Sequence, residues 1–202
     1  MLDRSLLEGE VARVVESAVA AGVDWVQVRD RELEGEAMLA LCDDVREAAR
    51  RGAARRGAIP KVIVNRRADV ALASGVDGVH LGFDGMPAGE ARSLLGPDAL
   101  VGVSAHAPAE IDPGGGASYA QLAPIALPLS KAASRPALGL SALANATARG
   151  LPVLAQGGID LTNARAALAA GAAGIAVTGA ILLADDPARA TRALREVLDG
   201  PR

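Results

Sequence analysis

Aromatic residues are nearly absent from this chain. Of 202 residues, half of them hydrophobic, only Trp25, Phe83 and Tyr119 carry such a ring. The interior must therefore be filled by Ala, Val, Leu and Ile, on backbones that approach one another closely. Surplus positive charge is absent as well. With a formal net charge of -3 and almost no stacking platforms, the chain lacks what single-strand and RNA readers use, so nucleic acid is not an expected partner. A single cysteine excludes a disulfide framework and a cysteine-based zinc site. That residue, Cys42, lies amid LALCDDV and reads as core. The opening MLDRSLLEGE has no apolar export core, which makes the cytoplasm the expected location. What the chain does have is apolar content and length. Both suit a folded domain spanning 1–202, at roughly 150 residues per domain, and neither suits disorder.

One uncharged run, Ala166 to Ala184, is 19 residues long, and so meets the length of ~18 for a membrane span. Its first half is mostly Ala and Gly, and Gly171, Gly174 and Gly179 divide it into pieces too short to cross a bilayer. It reads instead as helix end, turn, buried strand and next helix start, and no membrane partner is expected.

A recurring unit organises the rest. AVAAGVDWVQVRD from Ala18, ALASGVDGVHLG from Ala71 and ALAAGAAGIAVTG from Ala167 each end a helical pattern at a glycine suited to a C-cap. Each then continues as a short, uniformly apolar strand of the kind buried in a parallel sheet. Strands are predicted near Trp25–Arg29, Lys61–Asn65, Gly78–Leu81, Leu100–Ser104, Tyr119–Ala123, Pro152–Ala155 and Gly174–Val177. Helices are predicted near Glu8–Ala21, Gly35–Arg51, Arg67–Ser74, Ala88–Leu95, Gly139–Arg149, Thr162–Ala170 and Pro187–Leu198. This spacing predicts a (β/α)8 TIM barrel, an α/β fold for which ~200 residues is the compact end. Only Met1 to Arg4 precede the first helix, so strand 1 is expected to be truncated or missing. APAEIDPGGGAS, between His106 and Tyr119, leaves a vestigial fifth helix.

In such a barrel the chemistry belongs at the C-terminal ends of the strands. Those ends carry cations and bare backbone, which points to an anionic substrate, most simply a phosphate. LAQGGID, followed by VTGA, supplies Gly158, Thr178 and Gly179 where the last two strands should end, the recurrent barrel phosphate position. The alternative is that Gly157-Gly158 merely makes a tight turn. Gln27, Arg29 and Arg31 alternate along one strand and its exit. An inward guanidinium cannot shed its charge, so it needs either a bound anion or a carboxylate, for which Asp30 and Asp24 are the candidates. Ser104 and His106 follow the next candidate strand, and an imidazole there suits proton transfer near neutral pH. A Ser104–His106 nucleophile pair is disfavoured, since no third carboxylate orients the ring. His80, in the apolar HLG, reads as a buried, satisfied histidine.

VQVRDREL from Val26, IVNRRADVALASGVDGVHLG from Ile63, VGVSAHA from Val101, YAQLAPIALPLSK from Tyr119 and PVLAQGGIDLTNARAALAAGAAGIAVTGAI from Pro152 together resemble the thiamine phosphate synthase/TenI family. The resemblance implies substrate contacts from Gln27, Arg29, Arg31, Asn65, Ser104, Ser130 and Lys131, with phosphate at Gly158, Thr178 and Gly179. Synthases of the family hold Mg²⁺ and a pyrimidine diphosphate with an Asn-Asp pair and a further Asp. Here Asn65 stands, but Arg66 and Gly85 occupy the two aspartate positions, with Asp84 one residue early. A cation in place of a carboxylate repels the metal. The resemblance therefore favours the metal-independent thiazole tautomerase branch, with His106 as acid/base, a phosphorylated thiazole as ligand and no cofactor. One alternative is a thiamine phosphate synthase with a rearranged Mg²⁺ site, and another is a non-catalytic thiazole-phosphate binding protein. A homodimer is left open.

Overall fold

The computed structural model describes residues 1–7, 10–127 and 135–200. Eight strands form a parallel sheet in sequence order. They are β1 Leu2–Asp3, β2 Trp25–Arg29, β3 Lys61–Asn65, β4 Gly78–Leu81, β5 Leu100–Ala105, β6 Tyr119–Leu122, β7 Val153–Gln156 and β8 Gly174–Ala176. Around them lie α1 Val11–Ala21, α2 Gly35–Arg56, α3 Ala68–Ser74, α4 Ala88–Leu95, α5 Gly139–Thr147, α6 Ala164–Ala169, α7 Gly179–Leu182 and α8 Pro187–Asp199. This is the expected (β/α)8 barrel. Strand 1 is truncated to two residues, yet it pairs with β2 through Leu2–Val28 and Asp3–Arg29. The backbone nitrogen of Met1 donates to the Val177 carbonyl at 2.6 Å, which ties β1 to the segment after β8. Outside the sheet, Arg195 of α8 closes the ring by pairing with Asp24 at 2.8 Å, just before β2.

The fifth helix is reduced to a single 3₁₀ turn, Pro108–Glu110. The longest helix overruns its expected end at Arg51 and continues through Gly52 to Arg56. The reason is packing. A Cβ at position 52 would lie 2.5 Å from the Glu16 carbonyl oxygen of α1, so this glycine admits a neighbouring helix rather than ending its own. The helix stops at Gly57, whose left-handed φ of 72° provides the C-cap. Helix α1 runs over Val11–Ala21, and α7 is the helix start that the sequence placed after the buried strand, with α8 following as a separate helix.

Two contiguous apolar clusters fill the layer between strands and helices. One joins the flanks of β1–β5 to α1–α4 through Val28, Val45, Val64, Leu81 and Val101, with Cys42 buried among them. The other joins β6–β8 to α5, α6 and α8 and is rich in alanine, with Ala105, Ala120, Ala146, Ala155, Ala164 and Ala167 all buried. These alanines explain the scarcity of rings, because short side chains let the helices sit close on the strands. Among the described residues no helix is long and apolar enough to cross a membrane.

Candidate active site

The strand ends open into a cavity of about 860 Å³. Gln27, Arg29, Arg31, Asn65, Ser104, His106, Gly158, Thr178 and Gly179 all line it. Ser130 and Lys131 lie outside the described residues.

Its floor is a set of polar side chains that satisfy one another. Gln121 of β6 donates to Gln27 Oε1 at 3.2 Å, and Gln27 in turn donates to Asn65 Oδ1 at 3.0 Å. Gln27 is 4% exposed, so these bonds offset the cost of burying its amide. Its first effect is to orient Asn65, whose Nδ2 is left for the cavity. His80 is the buried, satisfied histidine that the sequence suggested, but it also reaches the cavity. Its Nε2 lies 2.9 Å from Ser104 Oγ and its Nδ1 lies 3.2 Å from the Tyr119 hydroxyl. Burial pushes the His80 pKa down to about 4 and pushes the Tyr119 phenol up. Ser104 is thus engaged by His80 rather than by His106.

His106 stands at the rim. Its Nδ1 lies 2.7 Å from the Ala123 carbonyl oxygen. A carbonyl only accepts, so Nδ1 carries a proton and Nε2 is the bare nitrogen of the neutral ring. Its backbone N–H donates to Glu110 at 2.7 Å, and the Phe83 ring meets it edge-on at 5.8 Å.

The wall at β1–β4 is cationic. Arg29 forms an ion pair with Asp3, its register neighbour on β1, and not with Asp30 or Asp24. Asp30 pairs with Arg4 instead, while Asp24 pairs with Arg56 and Arg195. The Arg29 pKa is lowered first by burial, and the nearby charges of Arg31 and Arg66 act in the same direction against Asp3. Arg66 bonds Asp84 at 2.8 Å and holds that carboxyl below its ordinary range. It is also the single non-glycine residue with positive φ among those described, at 67°. Its backbone N–H donates to the His80 carbonyl at 2.7 Å, which anchors this sparsely populated conformation.

The opposite wall, at β7 and β8, is built from backbone. Gly157 and Gly158 have φ of 83° and 63°. A Cβ on Gly158 would come 2.3 Å from the Leu127 carbonyl oxygen, and one on Gly157 would come 2.7 Å from Pro124. Glycine is therefore required by the turn and by the loop after β6, whatever is bound. Asn163 donates to the Gly158 carbonyl at 2.7 Å and so orients that peptide. Among the described residues nothing accepts from the Gly158 or Gly179 amides, leaving two donors at the cavity edge beside Thr178.

The chain is similar to known proteins along most of its length. The profile of the thiamine monophosphate synthase family matches residues 2–181. The chain belongs to that family. It is 42% identical to a putative thiamine-phosphate synthase of Geobacter sulfurreducens over 192 residues, covering 94% of this chain and 87% of that one. It is 38% identical to a thiamine-phosphate synthase of Roseiflexus castenholzii over 198 residues, 96% of this chain and 82% of that protein. Among solved structures it is similar to a thiamine phosphate pyrophosphorylase from Pyrococcus furiosus, with a TM-score of 0.84 at 30% identity, covering 98% and 93% of the two chains. Membership makes the chain an enzyme of thiamine biosynthesis. The relatives' names agree with the synthase alternative rather than with the tautomerase branch that the sequence favoured.

The residues present do not fit a resident magnesium ion. Mg²⁺ takes oxygens in near-octahedral array, usually with one or two carboxylates. Of the carboxylates lining this wall, Asp84 is paired with Arg66, Asp3 with Arg29 and Asp30 with Arg4, and Asn65 Oδ1 already accepts from Gln27. No group of three or more metal-ligating side chains is found among the described residues.

Sequence reasoning missed Asp3, Gln121 and the contact of Tyr119 with His80. Tyr119 and Gln121 alternate along β6, so both point inward, a signal that the short motif YAQL did carry.

Proposed function

We propose that this protein is a thiamine-phosphate synthase that condenses a pyrimidine diphosphate with a thiazole phosphate, and that its guanidinium groups take the place of the metal ion. The thiazole ring nitrogen attacks the methylene carbon of the pyrimidine, a C–N bond forms, the C–O bond to diphosphate breaks and diphosphate departs. The carrying observation is that one cavity has two anion-accepting walls. Arg29, Arg31 and Arg66 line one side, where among the described residues Arg29 pairs with Asp3 and Arg66 with Asp84. The Gly158 and Gly179 amides stand on the other. A reaction with two phosphorylated substrates uses both. Guanidinium forks suit the leaving diphosphate, because planar donors pair its oxygens bidentately and stabilise the charge as it develops.

His106 supports a second reading, the thiazole tautomerase. Its Nδ1 contact with Ala123 leaves a bare Nε2 at the rim, placed to move a proton on a ring held by the glycine wall. Both reactions assayed with the purified chain separate the two. Diphosphate release from the paired substrates supports condensation. Proton exchange on a carboxythiazole phosphate, lost in His106→Asn and with no diphosphate release, would replace it by tautomerisation.

A further inference from the structure

The contact between Tyr119, His80 and Ser104 is built by three adjacent strands at one level of the barrel. His80 on β4 is the register partner of Gly102 on β5, and Gly102 is the register partner of Tyr119 on β6. The missing side chain at Gly102 is what lets the outer two meet. A Cβ there would lie 2.3 Å from the Tyr119 hydroxyl oxygen and 2.6 Å from His80 Nδ1. The ring of Tyr119 is held from its other side by Trp25, edge-on at 5.1 Å. Ser104, two residues beyond Gly102 on the same face of β5, receives the far side of the imidazole.

Proton accounting assigns every direction in this relay. Tyr119 is 2% exposed, and among the described residues His80 Nδ1 is the one hydrogen-bonding neighbour of its hydroxyl. A buried O–H left without an acceptor costs its full desolvation, so the phenol donates and Nδ1 accepts. A neutral imidazole with a bare Nδ1 carries its proton on Nε2. That N–H points at Ser104 Oγ, 2.9 Å away, so the serine oxygen accepts. Its own proton then finds no acceptor among the described residues and is left for the cavity.

We propose that Tyr119 is a positioning residue: by donating to His80 it fixes the Nε2–H tautomer and commits the Ser104 hydroxyl to donate into the cavity. With the opposite tautomer Ser104 would spend its proton on the histidine and offer only lone pairs, which would repel an anion. The ligand class that suits a committed donor here is a phosphate or diphosphate oxygen, and that last step rests on the function proposed above. The tautomer does not. Burial supports the assignment by keeping His80 neutral at physiological pH, with its pKa near 4.

The chain has two histidines, so a long-range ¹H–¹⁵N spectrum of the labelled protein resolves both rings. The wild type is expected to show His80 protonated at Nε2 and His106 at Nδ1. His80 protonated at Nδ1 would overturn the proposal without any variant. In Tyr119→Phe the His80 Nδ1 resonance should move to that of a ring without a donor, with loss of the single tautomer; an unchanged Nδ1 resonance would contradict the relay. The kinetic arm is a double-mutant cycle. Tyr119→Phe should lower kcat/KM about tenfold, the size of one hydrogen bond to a charged ligand, and should have no further effect in a Ser104→Ala background. Additive losses would show that Tyr119 acts other than through Ser104. A chain with no measurable turnover defeats the proposed function and leaves the spectrum to decide the relay.

Discussion

The two walls of the cavity are made of different materials. At β7 and β8 the donors are amides, fixed by glycines that the turn and the neighbouring loop both demand, and held by Asn163 on the Gly158 carbonyl. At β1–β4 the donors are guanidiniums on long side chains, each needing a counter-charge. Arg29 finds Asp3 and Arg66 finds Asp84. An amide wall keeps its donors under substitution, since every residue except proline presents the same N–H group. A side-chain wall can be rewritten residue by residue. On the proposed function, the difference lies in what each wall offers an anion: the backbone wall offers amides, and the side-chain wall offers guanidiniums, with Asp84 paired to Arg66.

The largest effect is expected from Arg29→Ala. It removes a largely buried cation from the proposed diphosphate wall and leaves Asp3 without its ion-pair partner, so kcat should fall about 10²–10³-fold, as for loss of one preorganised transition-state donor. Steady-state kinetics with both substrates check this, and a loss below fivefold would take Arg29 out of the site.

The floor between the walls should reveal itself as acid sensitivity. His80 has a folded pKa of about 4, below the ~6.5 of an unfolded histidine. The unfolded chain therefore takes up a proton that the folded chain refuses, and stability falls as pH drops from about 6.5 toward 4. The contribution is on the order of 3 kcal/mol across that window. Urea unfolding at pH 7 and pH 4.5 should show it, and His80→Asn should remove most of the difference.

On the backbone wall, Gly158→Ala meets a carbonyl at 2.3 Å and a φ of 63°. A cost of about 1–3 kcal/mol is expected from the strain and overpacking, visible in the melting temperature, together with a raised KM for thiazole phosphate. On the guanidinium wall, Arg66→Ala should cost stability least. Its ion pair with Asp84 is about half exposed on both sides, and such pairs contribute about 0–1 kcal/mol. Affinity for inorganic diphosphate, measured by calorimetry, should nonetheless fall. The two substitutions together separate a wall that is structural and binding at once from one that is mainly binding.

Much of this was legible locally. The runs WVQVR, KVIVN and GVHL are short, centred on valine and isoleucine and bounded by turn residues, and each forms a strand with the predicted limits. Strand ends in a barrel converge, so reading their terminal residues in order assembled the cavity lining before any coordinates. What stayed hidden depends on register. Asp3 meets Arg29 because a two-residue strand pairs at one particular offset, and two residues carry no periodicity to read. Tyr119 meets His80 across an intervening glycine, a relation between three strands that no local window contains. The extension of α2 through Gly52 was missed for the same reason, since a glycine that admits α1 looks in isolation like a helix breaker.

The most direct test of the central claim is diphosphate release from hydroxymethylpyrimidine diphosphate and thiazole phosphate, measured with the purified protein in excess EDTA and again with Mg²⁺. Comparable thiamine phosphate formation is expected in both. Formation only with Mg²⁺ would show that the guanidinium wall does not stand in for the metal, and formation in neither would contradict the assignment as a synthase.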